Sequence, residues 1–383
     1  MARIKYTTAG ESHGKMLVGI IENVPAGLYI DGGSINGELK RRMLGLGRGA
    51  RMKIESDSAE FVTGVRAHMS LGGPITAVIE NKDFKNWERV MGADAVDTDE
   101  RTLTAVRPGH ADLSGVIKYG FDDARNVLER ASARETAAKV ALGAVAKLYL
   151  AQFGIVVQSH TLAIGAVKAK PAVEHLEEIN AIADADPVRC LDKTASAKMV
   201  DEIRKAALGG DTLGGVSEII VTGCKSGIGS YVSAHRKLDG LIMREVGAVQ
   251  SVKAVEIGDG MLCSSLYGSL AHDEIYARAG GGYERFTNRA GGLEGGMTNG
   301  QPIVVRAYFK PIPTLKNGLN TVDIKTGKAV KAASERSDVC AVPAGGVVAE
   351  AAVALAVAAA LSDMLGGDTM KEAVKRYEEK ESC

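Results

Sequence analysis

Residues 347–361 form an almost unbroken run of alanine and valine, interrupted by Glu350. The run falls short of the roughly 20 apolar residues that a membrane-spanning helix needs. Small side chains let neighbouring backbones approach closely, so the run predicts a helix packed tightly inside the protein or at an interface. A second stretch has the same character. Asp122 can begin a long helix reaching Phe153, with alanine at Ala137, Ala138, Ala141, Ala144 and Ala146. A chain carrying two such helices must wrap them in other elements.

Short apolar runs at 17–21, 75–79, 155–157, 216–221 and 303–305 predict buried strands. Ser34 can cap a helix running to about Met43, and further helices are predicted near 173–183, 195–208, 238–249 and 345–364. Strands and helices do not alternate regularly, which favours a mixed α+β architecture over a doubly wound sheet. No repeat, low-complexity tract or Pro/Ser linker divides the 383 residues, so residues 1–383 are expected to form a single domain. Lysine plus arginine equal aspartate plus glutamate at 47 each, which argues against a nucleic-acid or membrane-surface partner. The five cysteines are scattered, without a C-x-x-C pair or histidine clustering. They predict neither a disulfide framework nor a metal site and suit a reducing compartment. Residues 1–8 lack a hydrophobic signal core, so a cytoplasmic location is expected.

Chemistry concentrates in three segments: Gly10-Glu11-Ser12-His13-Gly14, Arg107-Pro108-Gly109-His110-Ala111-Asp112 and Ser132-Ala133-Arg134-Glu135-Thr136. Histidine titrates nearest neutrality, so His13 and His110 in glycine-flanked turns are candidate proton donors or acceptors. The arginines beside them supply fixed positive charge for carboxylate or phosphate. Together these segments point to an enzyme acting on a small polyanion. The first also satisfies G-x-S-x-G, but a hydrolase nucleophile elbow follows a strand and loop that supply the oxyanion hole. Eleven residues before Ser12 cannot provide them. There is no P-loop, and Gly45-Leu46-Gly47-Arg48-Gly49 misses G-x-G-x-x-G by one spacing. His68, His160, His175, His235 and His272 read as structural.

Other segments are suggestive only in combination. Lys40, Arg41, Arg42, Arg48, Arg51 and Lys53 follow one another without an acid, threaded through glycines, and alone would pass for a solvated helix end and loop. The glycine-dense stretch 280–300 suggests close backbone approach to a ligand. Lys310-Pro311-Ile312-Pro313-Thr314 is a stiff strand exit offering a lysine and a hydroxyl. In Arg336-Ser337-Asp338 an extended backbone would put Arg336 and Asp338 on one side.

In this order, these pieces resemble the chorismate synthase family. Gly210–Gly215 (GDTLGG), Glu294–Pro302 (EGGMTNGQP) and Glu335–Asp338 (ERSD) complete the match, which spans residues 6 to about 345. The resemblance implies a layered β-α-β sandwich of mainly antiparallel sheets, assembled as a homotetramer. It implies anti-1,4-elimination of phosphate from 5-enolpyruvylshikimate 3-phosphate to give chorismate, with reduced FMN required and no net redox change. It further implies His13 as the proton source for phosphate with Ser12 nearby, His110 as the histidine that protonates reduced flavin, and Asp338 as the carboxylate that helps flavin accept the substrate hydrogen. A substrate with one phosphate and two carboxylates calls for an arginine-rich cavity, for which Arg48, Arg51, Arg107 and Arg134 are candidates. The family's FMN positions fall on Arg130, Ala131, Ser132, Gln250, Ser251, Gly296, Lys310, Pro311, Ile312, Pro313, Thr314 and Arg336. Arg42 and Arg48 fall on positions associated with NADP, so NADPH is a possible source of reducing power. The chain lacks the long insertions associated with bifunctional fungal forms, which leans towards a monofunctional enzyme supplied with reduced FMN. A flavin-dependent oxidoreductase would share the cofactor loops, and a non-catalytic anion-binding protein would share the arginines but have no need of two glycine-turn histidines.

Overall fold

The computed structural model describes residues 3–48, 56–94, 99–172, 176–333 and 338–380. Two antiparallel sheets carry most of the strands. The first contains β1 (Lys5–Ala9), β2 (Met16–Glu22), β3 (Ala59–Thr63) and β4 (Ile75–Glu80) in the order β1-β2-β4-β3. Period-two alternation sets its faces: Leu17, Gly19 and Ile21 on β2, and Ile75, Ala77 and Ile79 on β4, point inward. The second contains β5 (Val156–Ile164), β6 (Val167–Lys168), β7 (Gly215–Thr222), β8 (Val252–Ile257) and β9 (Ile303–Phe309) in the order β8-β9-β7-β5-β6. The predicted strands are all present, and those at 155–157 and 303–305 extend several residues further.

The main helices are α1 (Gly32–Arg42), α2 (Asp112–Tyr119), α3 (Arg125–Ala131), α4 (Thr136–Ala151), α5 (Lys193–Gly209), α6 (Leu238–Gly247), α7 (Val342–Leu365) and α8 (Met370–Glu378). Helix α4 packs against β2 and β4 of the first sheet, and α7 packs against β5 and β7 of the second. The two helices also pack directly on each other. Small residues permit this: a Cβ on Gly143 would stand 2.4 Å from that of Ala351. The alanine-rich segments thus meet inside one protomer. Although α7 is long and apolar enough to cross a membrane, it is almost wholly buried by its neighbours.

Three helix expectations need correction. Asp31 caps α1, its carboxylate accepting from Gly33 N at 3.1 Å and Ser34 N at 2.8 Å. The expected helix over 122–153 is divided into α3, a 3-10 turn at Ala133–Glu135, and α4. Ser132 is extended (φ −63°, ψ 142°), and its side chain accepts from Arg134 N. This break turns Ser132 and Arg134 towards the same cavity. In the region near 173–183, helix is present only at Ile179–Asp184, and residues 173–175 lie outside the described residues.

Candidate active site

A cavity of about 410 Å³ opens where the 10–14 turn, the α2 and α3 segments, the 249–251 turn, the 309–314 strand exit and the start of α7 converge. Ser12, His13, Arg107 and His110 line it, as do Ala131, Ser132 and Arg134. Arg42, Arg48 and Asp338 form another part of the wall, with Gln250, Ser251, Lys310, Ile312, Pro313 and Thr314 completing it. Arg130 is outside the lining, its guanidinium donating to Thr8 O at 2.8 Å and Gly10 O at 3.1 Å. Pro311 is also outside. Gly296 is a tight contact rather than a cavity wall: a Cβ there would fall 2.6 Å from the Lys237 side chain. Its backbone carbonyl accepts from Leu238 N at 2.9 Å. Arg51 and Arg336 lie outside the described residues.

Each histidine is held by its own carboxylate, which an arginine holds in turn. Nδ1 of His13 stands 2.9 and 3.0 Å from the two carboxylate oxygens of Glu129, and its backbone N donates to Glu129 Oε2 at 2.8 Å. Arg125 Nη1 donates to Glu129 Oε1 at 3.0 Å. Burial pushes the Glu129 carboxyl up, but His13 and Arg125 outweigh it and hold it below the ordinary range. His110 Nδ1 donates to Asp112 Oδ1, while Arg107 grips the same carboxylate through Nε at 2.8 Å and Nη2 at 3.1 Å. Burial again opposes the charge on Asp112, and His110 and Arg107 pull its pKa well below the usual value. With Nδ1 committed to a carboxylate in each case, Nε2 is the ring nitrogen left for chemistry. Arg107 is further fixed by Thr314, whose Oγ1 accepts from Nη1 at 3.2 Å.

The remaining arginines crowd together. Arg42 donates to Thr136 Oγ1 at 3.0 Å and Ala133 O at 2.9 Å, and pairs with Asp57 at 3.4 Å. Arg134 also pairs with Asp57, at 2.5 Å, and donates to Asn81 Oδ1 at 3.0 Å. Arg48 pairs with Asp338 at 3.3 Å. Burial, reinforced by the neighbouring charges of Arg48 and Arg134, lowers the Arg42 pKa to about 10 against the pull of Asp57 and Asp338. Such mutual repulsion in a desolvated cleft favours a bound anion. Lys310 donates to Gly109 O at 2.6 Å, which ties the 310–314 exit to the His110 turn.

Several functional groups escape sequence reasoning: Glu129, Trp87 and Asp57 had no motif to announce them. Trp87, the only tryptophan, stacks on the His13 ring with centroids 3.8 Å apart and planes 20° from parallel. An Arg125–Glu129 pair at i,i+4 was the one local signal for the carboxylate.

The fold and cavity define an enzyme that handles a small polyanion among desolvated arginines and two carboxylate-held histidines. Comparison with known proteins agrees. The family described as chorismate synthase matches residues 4–362. The chain is 51% identical to a chorismate synthase of Parafrankia sp. (strain EAN1pec), with 98% of each covered. It is 52% identical to a chorismate synthase 2 of Bacillus thuringiensis (strain Al Hakam), with 96% of each covered. A crystal structure of chorismate synthase superimposes with a TM-score of 0.79 at 37% identity, covering 99% of this chain and 97% of that one. The chain belongs to the chorismate synthase family. It is a lyase that releases phosphate from 5-enolpyruvylshikimate 3-phosphate to form chorismate.

Proposed function

We propose that the 410 Å³ cavity is where this elimination takes place, with the substrate's phosphate and carboxylates held by Arg42, Arg48, Arg107 and Arg134. The observation that carries the reading is the pairing of a crowded arginine cluster with two histidines whose Nδ1 is held by a carboxylate and whose Nε2 meets no carboxylate among the described residues. His13 protonates the departing phosphate as its C–O bond breaks, with Ser12 beside it. Asp338, paired with Arg48, assists removal of the substrate hydrogen as the new C=C bond forms. Arg51 and Arg336 remain candidates by sequence.

The cavity also fits a flavin. Its far wall is apolar, with Val249, Phe309, Ile312 and Val348, and Gln250 Oε1 is a buried acceptor without a partner among the described residues. A flat conjugated ring with a donor on its edge suits that combination. Ala131, Ser132, Gln250, Ser251 and the 310–314 exit would hold reduced FMN, which supplies electron density that eases allylic C–O cleavage without net oxidation. His110, its Nδ1 fixed by Asp112, keeps Nε2 to exchange a proton with the reduced cofactor. We assign the chain no reductase activity of its own, so reduced FMN arrives from outside and NADPH serves only its regeneration.

The layered β-α-β sandwich and the single domain are supported by α4 on the first sheet, α7 on the second and one apolar core reaching both. A homotetramer is supported by the exposed side chains of Met261, Tyr267, Leu270 and Phe286, which a subunit contact would cover. A cytoplasmic location is supported by the free cysteines Cys190, Cys224, Cys263 and Cys340.

The test is an anaerobic assay with enolpyruvylshikimate phosphate and chemically reduced FMN, following chorismate and phosphate. Many turnovers per flavin are expected. Flavin oxidation in step with product would favour an oxidoreductase instead. His13→Ala and His110→Ala should each lose about 10²–10⁴-fold in rate. Arg134→Ala should raise the substrate dissociation constant as well.

A further inference from the structure

We propose that Glu129 and Trp87 form a clamp that makes His13 a competent proton donor, Glu129 fixing which ring nitrogen faces the substrate and Trp87 fixing the plane of the ring. This rests on the reading of His13 as the group that protonates phosphate. Glu129 acts through His13, so it is a positioning residue.

The geometry of the clamp is specific. Glu129 sits on α3 with its side chain only 1% exposed, and one carboxylate oxygen takes both the backbone N–H and Nδ1 of His13. The backbone bond fixes the carboxylate beside His13, so the ring cannot rotate about χ1 without giving up its Nδ1 contact to that carboxylate. Nδ1 is thereby committed, and Nε2 is the edge left to the cavity. The indole of Trp87 closes one face of the imidazole at 3.8 Å. Trp87 is itself anchored, Nε1 donating to Asp83 Oδ2 at 3.1 Å. Arg101 lies 4.1 Å over the indole, and Arg125 lies 5.1 Å from it.

The charged groups against the His13–Trp87 pair come from three segments: Glu129 and Arg125 on α3, Arg101 on the loop before α2 and Asp83 on the turn after β4. His110 has the same Arg–carboxylate arrangement but no aromatic ring stacked on it among the described residues, where the stack is particular to His13.

The experiment uses the full-length protein and the variants Glu129→Gln, Trp87→Phe, Trp87→Ala, His13→Gln and Glu129→Gln/His13→Gln. Single-turnover rates with reduced FMN should fall about 10²-fold in Glu129→Gln, the loss expected when a reacting group is misaligned, with substrate affinity within about 3-fold of wild type. Trp87→Phe should keep near-normal turnover, whereas Trp87→Ala should not. The double variant should be no slower than His13→Gln, because the two residues act as one unit. Trp87 emission gives a readout independent of turnover, since no other tryptophan contributes. It should rise in His13→Gln and in Glu129→Gln as the ring leaves the indole.

A folded Glu129→Gln with wild-type turnover and wild-type emission would overturn the clamp. If that variant does not fold, equal turnover in Trp87→Ala and Trp87→Phe would do so. A different result separates the underlying reading: if His13→Gln alters the emission but turns over normally, the stack is real and His13 is not the proton donor.

Discussion

Glu350 is the buried charge on which the core depends most. It lies in the middle of α7 with its side chain 0% exposed, and its carboxylate accepts from Arg41 Nη1 at 2.9 Å and Nη2 at 3.1 Å. Ser159 Oγ donates at 2.7 Å, Asn180 Nδ2 at 2.9 Å, and Lys147 forms a further ion pair. Glu38 and Asp184 complete the anions, and Arg189 adds a third cation through Asp184 at 2.7 Å. Three cations therefore face three carboxylates, and Glu350→Gln removes one negative charge with little change of shape. Breaking a buried pair from one side costs about 3–5 kcal/mol. Unfolding entropy for a chain of this length is about 0.8 kcal/mol/K, so the melting temperature should fall by about 4–6 °C at pH 7. Adding Lys147→Met to Glu350→Gln restores the balance and should recover most of that loss. Burial raises the Glu350 pKa, but Lys147, Arg41 and Arg189 bring it well below its ordinary value of 4.5. A carboxyl with a depressed folded pKa contributes its stability above the unfolded value and loses it as pH falls through the folded one. The gap between wild type and Glu350→Gln should thus be fullest above about pH 4.5 and narrow in acid. Calorimetry or circular dichroism from pH 3 to 8 measures it. A shift under 1 °C at pH 7, or a gap that does not narrow, would refute the reasoning.

Two other substitutions probe the core and the cofactor end. Gly143→Val forces a Cβ to within 2.4 Å of Ala351 Cβ and 3.1 Å of Ala351 O, between two helices that cannot part without disturbing a sheet. A loss of about 2–3 kcal/mol is expected by urea denaturation, and wild-type stability would mean the helices are less closely packed. Gln250→Leu removes a buried acceptor that has no partner among the described residues, so it should spare folding and weaken FMN binding by about 5–10-fold, read by flavin fluorescence. Unchanged affinity would detach Gln250 from the cofactor.

What could be read from the sequence depended on how far apart the cooperating residues stand. Strand β2 announces itself as a short apolar run at 17–21, and the pleat then turns Leu17, Gly19 and Ile21 inward between half-buried neighbours. His13 and His110 stand out because their glycine turns are local. Asp112 lies two residues from His110 and was visible in the same motif. Glu129 is 116 residues from His13, and nothing within α3 distinguishes it from a surface glutamate except Arg125 one turn away. The break at Ser132 was missed for a related reason. Residues on both sides are good helix formers, and the chain leaves the helix because Ser132 caps Arg134 while Arg134 reaches Asp57 and Asn81, groups supplied by distant segments.

The same long-range partners explain how the proposed site would meet a substrate with three anionic groups without rearranging. Each cation on the cavity wall is already immobilised: Arg42 by Thr136 and Ala133 O, Arg134 by Asn81, Arg107 by Asp112 and Thr314. A guanidinium held by neutral acceptors and shared carboxylates loses little further freedom when an anion arrives. The carboxylates that hold them, Asp57 and Asp112, are nearly or wholly buried, so they neither move nor compete in solvent. In the proposed site, charge that develops on a departing phosphate would therefore be met by dipoles and cations fixed beforehand, the condition under which electrostatic stabilisation is most effective. Replacing an arginine by lysine would keep the charge but give up the fork that these acceptors pin, and the loss should appear in turnover as well as in affinity.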